Sequence, residues 1–172
     1  MVQAILYHED MPTTATGTTV AGDTTIGDIE QALTRLFRRG NQPRVHEQLI
    51  ARAGVALDRA AYAVVSRLGD CGPVRLSELA YRMGVDVSTA CRQVQALEQE
   101  GLVTRAVDPG DRRATLLRLS EEGSLVLGRV REVRRTQLAK ALGSWSAEDR
   151  EQFATLLSRM LNDFDALMET GS

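Results

Sequence analysis

Two short apolar-patterned segments divided by a glycine constrain this chain more than any other feature. Leu76, Leu79, Ala80 and Met83 share one face of a short helix, Gly84 interrupts, and Val85-Asp86-Val87 follow. A second helix starts near Ser88 and ends at Gly101, a natural position just past a helix terminus. Two short helices joined by a glycine-containing turn make a helix-turn-helix. The chain then changes period. Leu102 to Val107 is strand-like, and so is Ala114 to Leu119, with Thr115, Leu117 and Leu119 on one face and Arg118 on the other. Residues 108–113 are expected to connect these strands as a hairpin loop.

The second helix has two unlike sides. At ~100° per residue, Val87, Ala90, Val94 and Leu97 cluster as the core face. The opposite side carries Ser88, Arg92, Gln95 and Gln99, flanked by Thr89 and Ala96, and holds no acid. Hydroxyl, amide and guanidinium groups are the side chains suited to base edges and phosphates. Gln93 joins the candidates by proximity. The hairpin "DPGDRR" adds Arg112 and Arg113 beside the Pro109-Gly110 turn. A helix followed by an arginine-tipped hairpin can address two grooves at once, because a narrow minor groove has enhanced negative potential that attracts Arg. Each feature alone also describes a solvated polar surface; together they favour DNA.

The flanking chain is helical in pattern. Residues 1–25 form a Thr-rich arm, expected to be irregular. Gly27 to Arg39 carries Ile29, Leu33, Leu36 and Phe37 at helical spacing, "GNQP" at 40–43 breaks it, and Arg44 to Ala53 is a second short helix. Asp58 is a candidate N-cap for Arg59 to Leu68, and "GDCGP" at 69–73 reads as a loop. Ser120 caps a long helix to about Leu142 with Glu121 and Glu122 in its first turn, where the helix dipole favours acids. Ser146 and Asp149 resemble a capping box for a last helix to about Met168. That helix bears Phe153, Leu156, Leu157, Met160, Leu161, Phe164, Leu167 and Met168 on one face, a broader stripe than so small a domain needs for its own core.

Composition removes other classes. The 172-residue chain is 43% hydrophobic, enough for a real core, and its net charge of −2 gives no global basic signature. No apolar run is long enough to span a membrane. The opening "MVQAILYHED" lacks the basic start of a signal peptide, so a cytoplasmic location is expected. Cys71 and Cys91 have no CxxC spacing, and with only His8 and His46 as histidines no metal site is expected. There is no nucleophile-base set, phosphate loop or placed pair of acids, so no catalytic residues, no cofactor and no enzymatic activity are expected.

From Val74 to Gly123, "LSELAYRMGVDVSTACRQVQALEQEGLVTR" followed by "DPGDRRATLLRLSEEG" resembles the MarR family of bacterial transcription regulators. The D-x-x-D-x-R of the hairpin is the most specific part; the flanks agree in length and helix order over about residues 27–168. The resemblance implies a mainly α fold with a small β-hairpin wing, a winged helix-turn-helix domain plus a helical dimerisation region built from both termini. The implied division is 1–25 arm, 26–56 N-terminal dimerisation helices, 57–120 DNA-binding domain and 121–172 C-terminal dimerisation helices. By position, Asp111 would hold Arg113 in place for the minor groove, Asp108 supplies the first acid of the signature, and Arg112 would meet a phosphate or solvent. Thr89 and Arg92 fall where the family's recognition helix often carries a hydroxyl and an Arg. The implied partners are double-stranded DNA, a second copy of the chain in a homodimer, and a small aromatic or phenolic effector. Half-sites would lie ~34 Å apart. The peroxide-sensing branch of the family uses a cysteine in the first helical region, and this chain has none there. The competing function is a winged helix that binds protein rather than specific DNA.

Overall fold

The structure is a computed structural model, and it describes residues 24–170, with side chains to residue 167. Among the described residues seven helices and one hairpin follow in order: α1 (Thr24–Gly40), α2 (Pro43–Ala53), α3 (Arg59–Cys71), α4 (Leu76–Met83), α5 (Val87–Gln99), β1 (Val103–Asp108), β2 (Asp111–Leu119), α6 (Glu121–Ala141) and α7 (Ala147–Thr170). The chain divides into two compact units between Glu132 and Val133, inside α6.

The first unit holds the buried core. Val64, Val65 and Leu68 of α3, Leu79 and Ala80 of α4, and Ala90, Val94 and Leu97 of α5 meet Leu102, Val103 and Leu117 of the hairpin and Val126, Leu127 and Val130 of α6. Among these, Leu79, Ala80, Ala90, Val94 and Leu97 are positions that the apolar periodicity of α4 and α5 singles out, while Leu76 and Met83, expected on the same face, are half-buried. Val87 is 50% exposed, because it sits at the first position of α5, beyond the reach of the core. Asp58 caps α3, its carboxylate accepting the Ala61 N–H at 2.7 Å. The "GNQP" break is used as well: Asn41 accepts from Arg59 through both its side-chain and backbone oxygens, at 2.9 and 3.2 Å.

Three boundaries differ from the sequence reading. First, α1 already includes Thr24 and Thr25; the remainder of the Thr-rich arm lies outside the described residues. Second, α3 runs on through Gly69, Asp70 and Cys71, which the sequence suggested as loop. The helix continues because Gly69 has no Cβ where Leu127 of α6 packs, and Asp70 is held by Arg131 of α6 at 2.7 Å. Third, β2 begins at Asp111 and the turn is only Pro109-Gly110. The ladder pairs Asp108 with Asp111 and then jumps to Val107 with Thr115, so Arg112, Arg113 and Ala114 stand outside the regular register. An antiparallel bridge between Val74 and Leu117 ties the entry to α4 onto β2, with hydrogen bonds of 3.1 and 2.8 Å.

At the start of α6, Ser120 Oγ accepts the Gly123 N–H at 2.9 Å and donates to the Gly101 carbonyl at 2.6 Å. Gly123 lies against the Leu102 carbonyl, where a Cβ would collide with backbone. In the second unit, Ser146 and Asp149 form the expected capping box: Ser146 Oγ accepts the Asp149 N–H at 3.0 Å while Asp149 accepts from Ser146. Trp145 packs edge-on against Phe153 at 5.4 Å. None of the described side chains of α7 is buried, and Phe153, Leu156, Leu157, Leu161 and Leu167 are exposed.

Candidate nucleic-acid interface

Gly84, in the left-handed conformation at φ 67°, turns the chain from α4 into α5. The start of α5 is organised by Asp86, which the sequence reading passed over. This N-cap carboxylate accepts the Thr89 N–H at 2.8 Å, the Thr89 hydroxyl at 2.7 Å, and the Ser88 hydroxyl in a short bond. Those bonds, the Ser88 hydroxyl first, hold the Asp86 carboxyl well below the usual carboxylate range. Both hydroxyl protons are thereby committed, so toward a ligand Ser88 and Thr89 offer lone pairs. Arg92 lies along the same face, donating to Thr89 Oγ1 at 3.2 Å. Ser88, Arg92 and Gln95 are exposed and Thr89 half-buried.

Gln93 goes elsewhere. Its Oε1 is buried and has no hydrogen-bond partner. It lines an open cavity of about 520 Å³ with His46 of α2, Arg59, Tyr62, Ser66 and Arg67 of α3, and Val85. His46 Nε2 is likewise buried and unpartnered, and the His46 and Tyr62 rings lie 5.5 Å apart. Four groups on α5 thus share an outward face, and the fifth points to the interior side.

The hairpin is tied at both ends. Near its base, Arg105 donates to Glu98 of α5 at 2.7 Å. At its tip, Asp108 Oδ1 accepts the Gly110 N–H at 2.8 Å, closing the turn. Asp111 Oδ1 accepts the backbone N–H of Arg113 at 3.1 Å, so its hold on Arg113 runs through the main chain. The guanidinium facing the two acids is that of Arg75, at the N-cap of α4, which the sequence reading missed; it sits 2.7 Å from Asp108 and 3.7 Å from Asp111. The Arg75 hydrogen bond is the main reason the Asp108 carboxyl lies below its usual range. Among the described residues, Arg112 and Arg113 are exposed and form no ion pair. No group of His, Cys, Asp or Glu among the described residues could hold a metal ion, and no described helix is long and apolar enough to cross a membrane. Cys71 and Cys91 are free and half-buried.

Comparison with known proteins bears on this geometry. The MarR family model matches residues 57–115. An HTH-type transcriptional regulator of Bacillus subtilis (strain 168), YxaD, is 35% identical over 136 residues, covering 79% of this chain and 92% of its own. The transcriptional repressor MdtR of the same organism is 29% identical over 140 residues, covering 81% and 88%. Among solved structures, a MarR family protein from Bacillus stearothermophilus superposes with a TM-score of 0.71 at 23% identity, covering 84% of this chain and 98% of that one. YusO from Bacillus subtilis gives 0.56 at 26%, covering 82% and 97%. With its helix-turn-helix, its arginine-tipped hairpin and a regulator of the same class related along nearly its full length, this chain belongs to the MarR family of winged helix-turn-helix transcription regulators.

Proposed function

We propose that the chain works as a homodimeric transcription regulator, a repressor like the relative MdtR by name, that binds a pseudo-palindromic operator. In this reading α5 enters the major groove through Ser88, Thr89, Arg92 and Gln95, and Arg113 enters the neighbouring minor groove with Arg112 on the phosphates. Gln93 is left to the cavity. The observation that carries the reading is the pair of unpaired guanidinium groups at the wing tip, Arg112 and Arg113, beside a helix face without acids. Their place on a hairpin directly after the second helix of a helix-turn-helix is what sets these two apart from other surface arginines. Residues 26–56 and 121–172 supply the dimer in this account, since α1 and α7 leave Ile26, Ile29, Leu36, Leu157 and Leu161 exposed.

The cavity between α2, α3 and α5 is the proposed seat of a small aromatic or phenolic effector. Its two orphaned polar atoms call for hydrogen-bond partners, Arg59 and Arg67 suit a carboxylate, and Gln93 links any occupant to the DNA-reading helix.

Fluorescence anisotropy on DNA from upstream of the chain's own gene tests the reading. Arg113→Ala should weaken binding about ten-fold, the equivalent of one well-made groove contact, with the sedimenting mass unchanged. Undiminished affinity would count against the wing. Repeating the titration with a panel of benzoates and phenols tests the cavity: displacement of DNA by wild type but not by Gln93→Leu is expected, and displacement of neither excludes these effectors.

A further inference from the structure

We propose that Arg75 is a positioning residue for DNA binding, the clamp that holds the wing tip in its reading orientation. The proposal rests on the minor-groove role of the wing given above, and adds the residue that sets it.

Arg75 occupies the N-cap of α4, where an acceptor side chain normally satisfies a free helical N–H. A guanidinium has only donors, and no side-chain cap bond forms here. What it does instead is specific. Its Nε and Nη2 both reach Asp108 Oδ2, at 3.0 and 2.7 Å, and Nη2 lies 3.7 Å from Asp111 Oδ2. The two acids are used alike. In each, Oδ1 accepts a backbone N–H of the tip, that of Gly110 or of Arg113, and Oδ2 is turned toward Arg75. Arg75 therefore gathers both acids, and through Asp111 it acts on the main chain of Arg113.

The backbone on the other side is fixed too. Val74, one residue before, is bridged to Leu117 of β2, opposite Arg105. The start of the helix-turn-helix is thus joined to the wing near its base by backbone and at its tip by Arg75, while Glu98 of α5 holds Arg105, the register partner of Leu117, at the same level. Two effects on DNA follow. The tip arginine loses less freedom on binding, because its backbone is already held. The two carboxylates of the tip, Asp108 and Asp111, are partly neutralised, which lowers their repulsion of the minor-groove phosphates.

The test uses the full-length protein with Arg75→Met, Arg113→Ala and their combination, in operator titrations across salt and in hydrogen exchange of the segment 108–114. An exposed ion pair has a limited effect, so Arg75→Met should weaken binding by up to about five-fold. It should also speed exchange at the Gly110 and Arg113 amides, and add little once Arg113 is gone. Asp108→Asn, which keeps the acceptor for Gly110, should reproduce the loss, and Arg75→Lys should fall between. Unchanged exchange at the tip overturns the clamp. So do losses that multiply in the double variant with a salt slope reduced by about one, the mark of a direct phosphate contact. If Arg113→Ala alone leaves affinity intact, the minor-groove reading fails instead, and the exchange rates still decide the clamp.

Discussion

Asp86 shows how much one exposed carboxylate can organise. Three donors converge on it, two of them hydroxyls that would otherwise be free to rotate. All three favour the charged form, which is why its carboxyl titrates below the usual range. The sign follows from linkage. A carboxyl whose folded pKa is depressed contributes stability that is complete above its ordinary pKa and is lost as pH falls through the depressed folded value. Asp86→Ala should therefore lower Tm at neutral pH, and the gap from wild type should close as pH is taken well below the carboxylate range. A gap that stays constant with pH would contradict this account of the cap. A helical projection puts Ser88 and Thr89 on the side of α5 that carries Arg92, and the structure has Ser88 exposed and Thr89 beside Arg92 there. Their partner Asp86 is a local N-cap signal like Asp58, passed over because the sequence reading starts the helix near Ser88 rather than at Val87. Arg75 is hidden for a different reason: it is 33 positions from Asp108 and meets it only once the wing folds back. Gln93 was assigned by proximity to Arg92, and a single helical step carries it to the half-buried side of α5.

At the scale of elements, the helix-turn-helix and the long helices were legible because their apolar periodicity is strong and their caps are local. The boundaries that moved did so where a neighbouring element intervenes. Helix α3 extends past its expected end because α6 supplies Leu127 and Arg131 to its last turn. The wing tip tightens because Asp108 and Asp111 close it with side-chain-to-backbone bonds. The two close approaches to glycine should respond differently to substitution. A Cβ at Gly69 meets the end of the flexible Leu127 side chain, whereas at Gly123 it meets the Leu102 carbonyl, which already accepts the Ser120 N–H at 3.0 Å. Gly123→Ala should destabilise on the order of 1–3 kcal/mol, the range for overpacked sites, and Gly69→Ala less, as read from chemical denaturation of the two variants. Equal effects would mean that the hairpin and the start of α6 are not as rigidly joined as their hydrogen bonds indicate.

For the whole molecule, the informative fact is where apolar surface remains. The core of the first unit is complete, yet α7 keeps a stripe through Phe153, Leu157 and Leu161 exposed, with Leu161 at 43%. A second copy of the chain is the proposed cover. Leu161→Glu should give a monomer by light scattering, and operator affinity should fall by about a hundred-fold or more, since each half-site would then be bound alone. A dimer that survives the substitution would place the interface elsewhere. Specific DNA binding by a chain with a net charge of −2 must come from the local cations of α5 and the wing. The most direct measurement is the affinity of the full-length protein for DNA upstream of its own gene, followed between 50 and 200 mM salt. If the two wings and two α5 helices of a dimer neutralise six or more phosphates, affinity should be high at the lower salt and fall by about a thousand-fold across the range. No binding to any fragment at the lower salt would contradict the central claim.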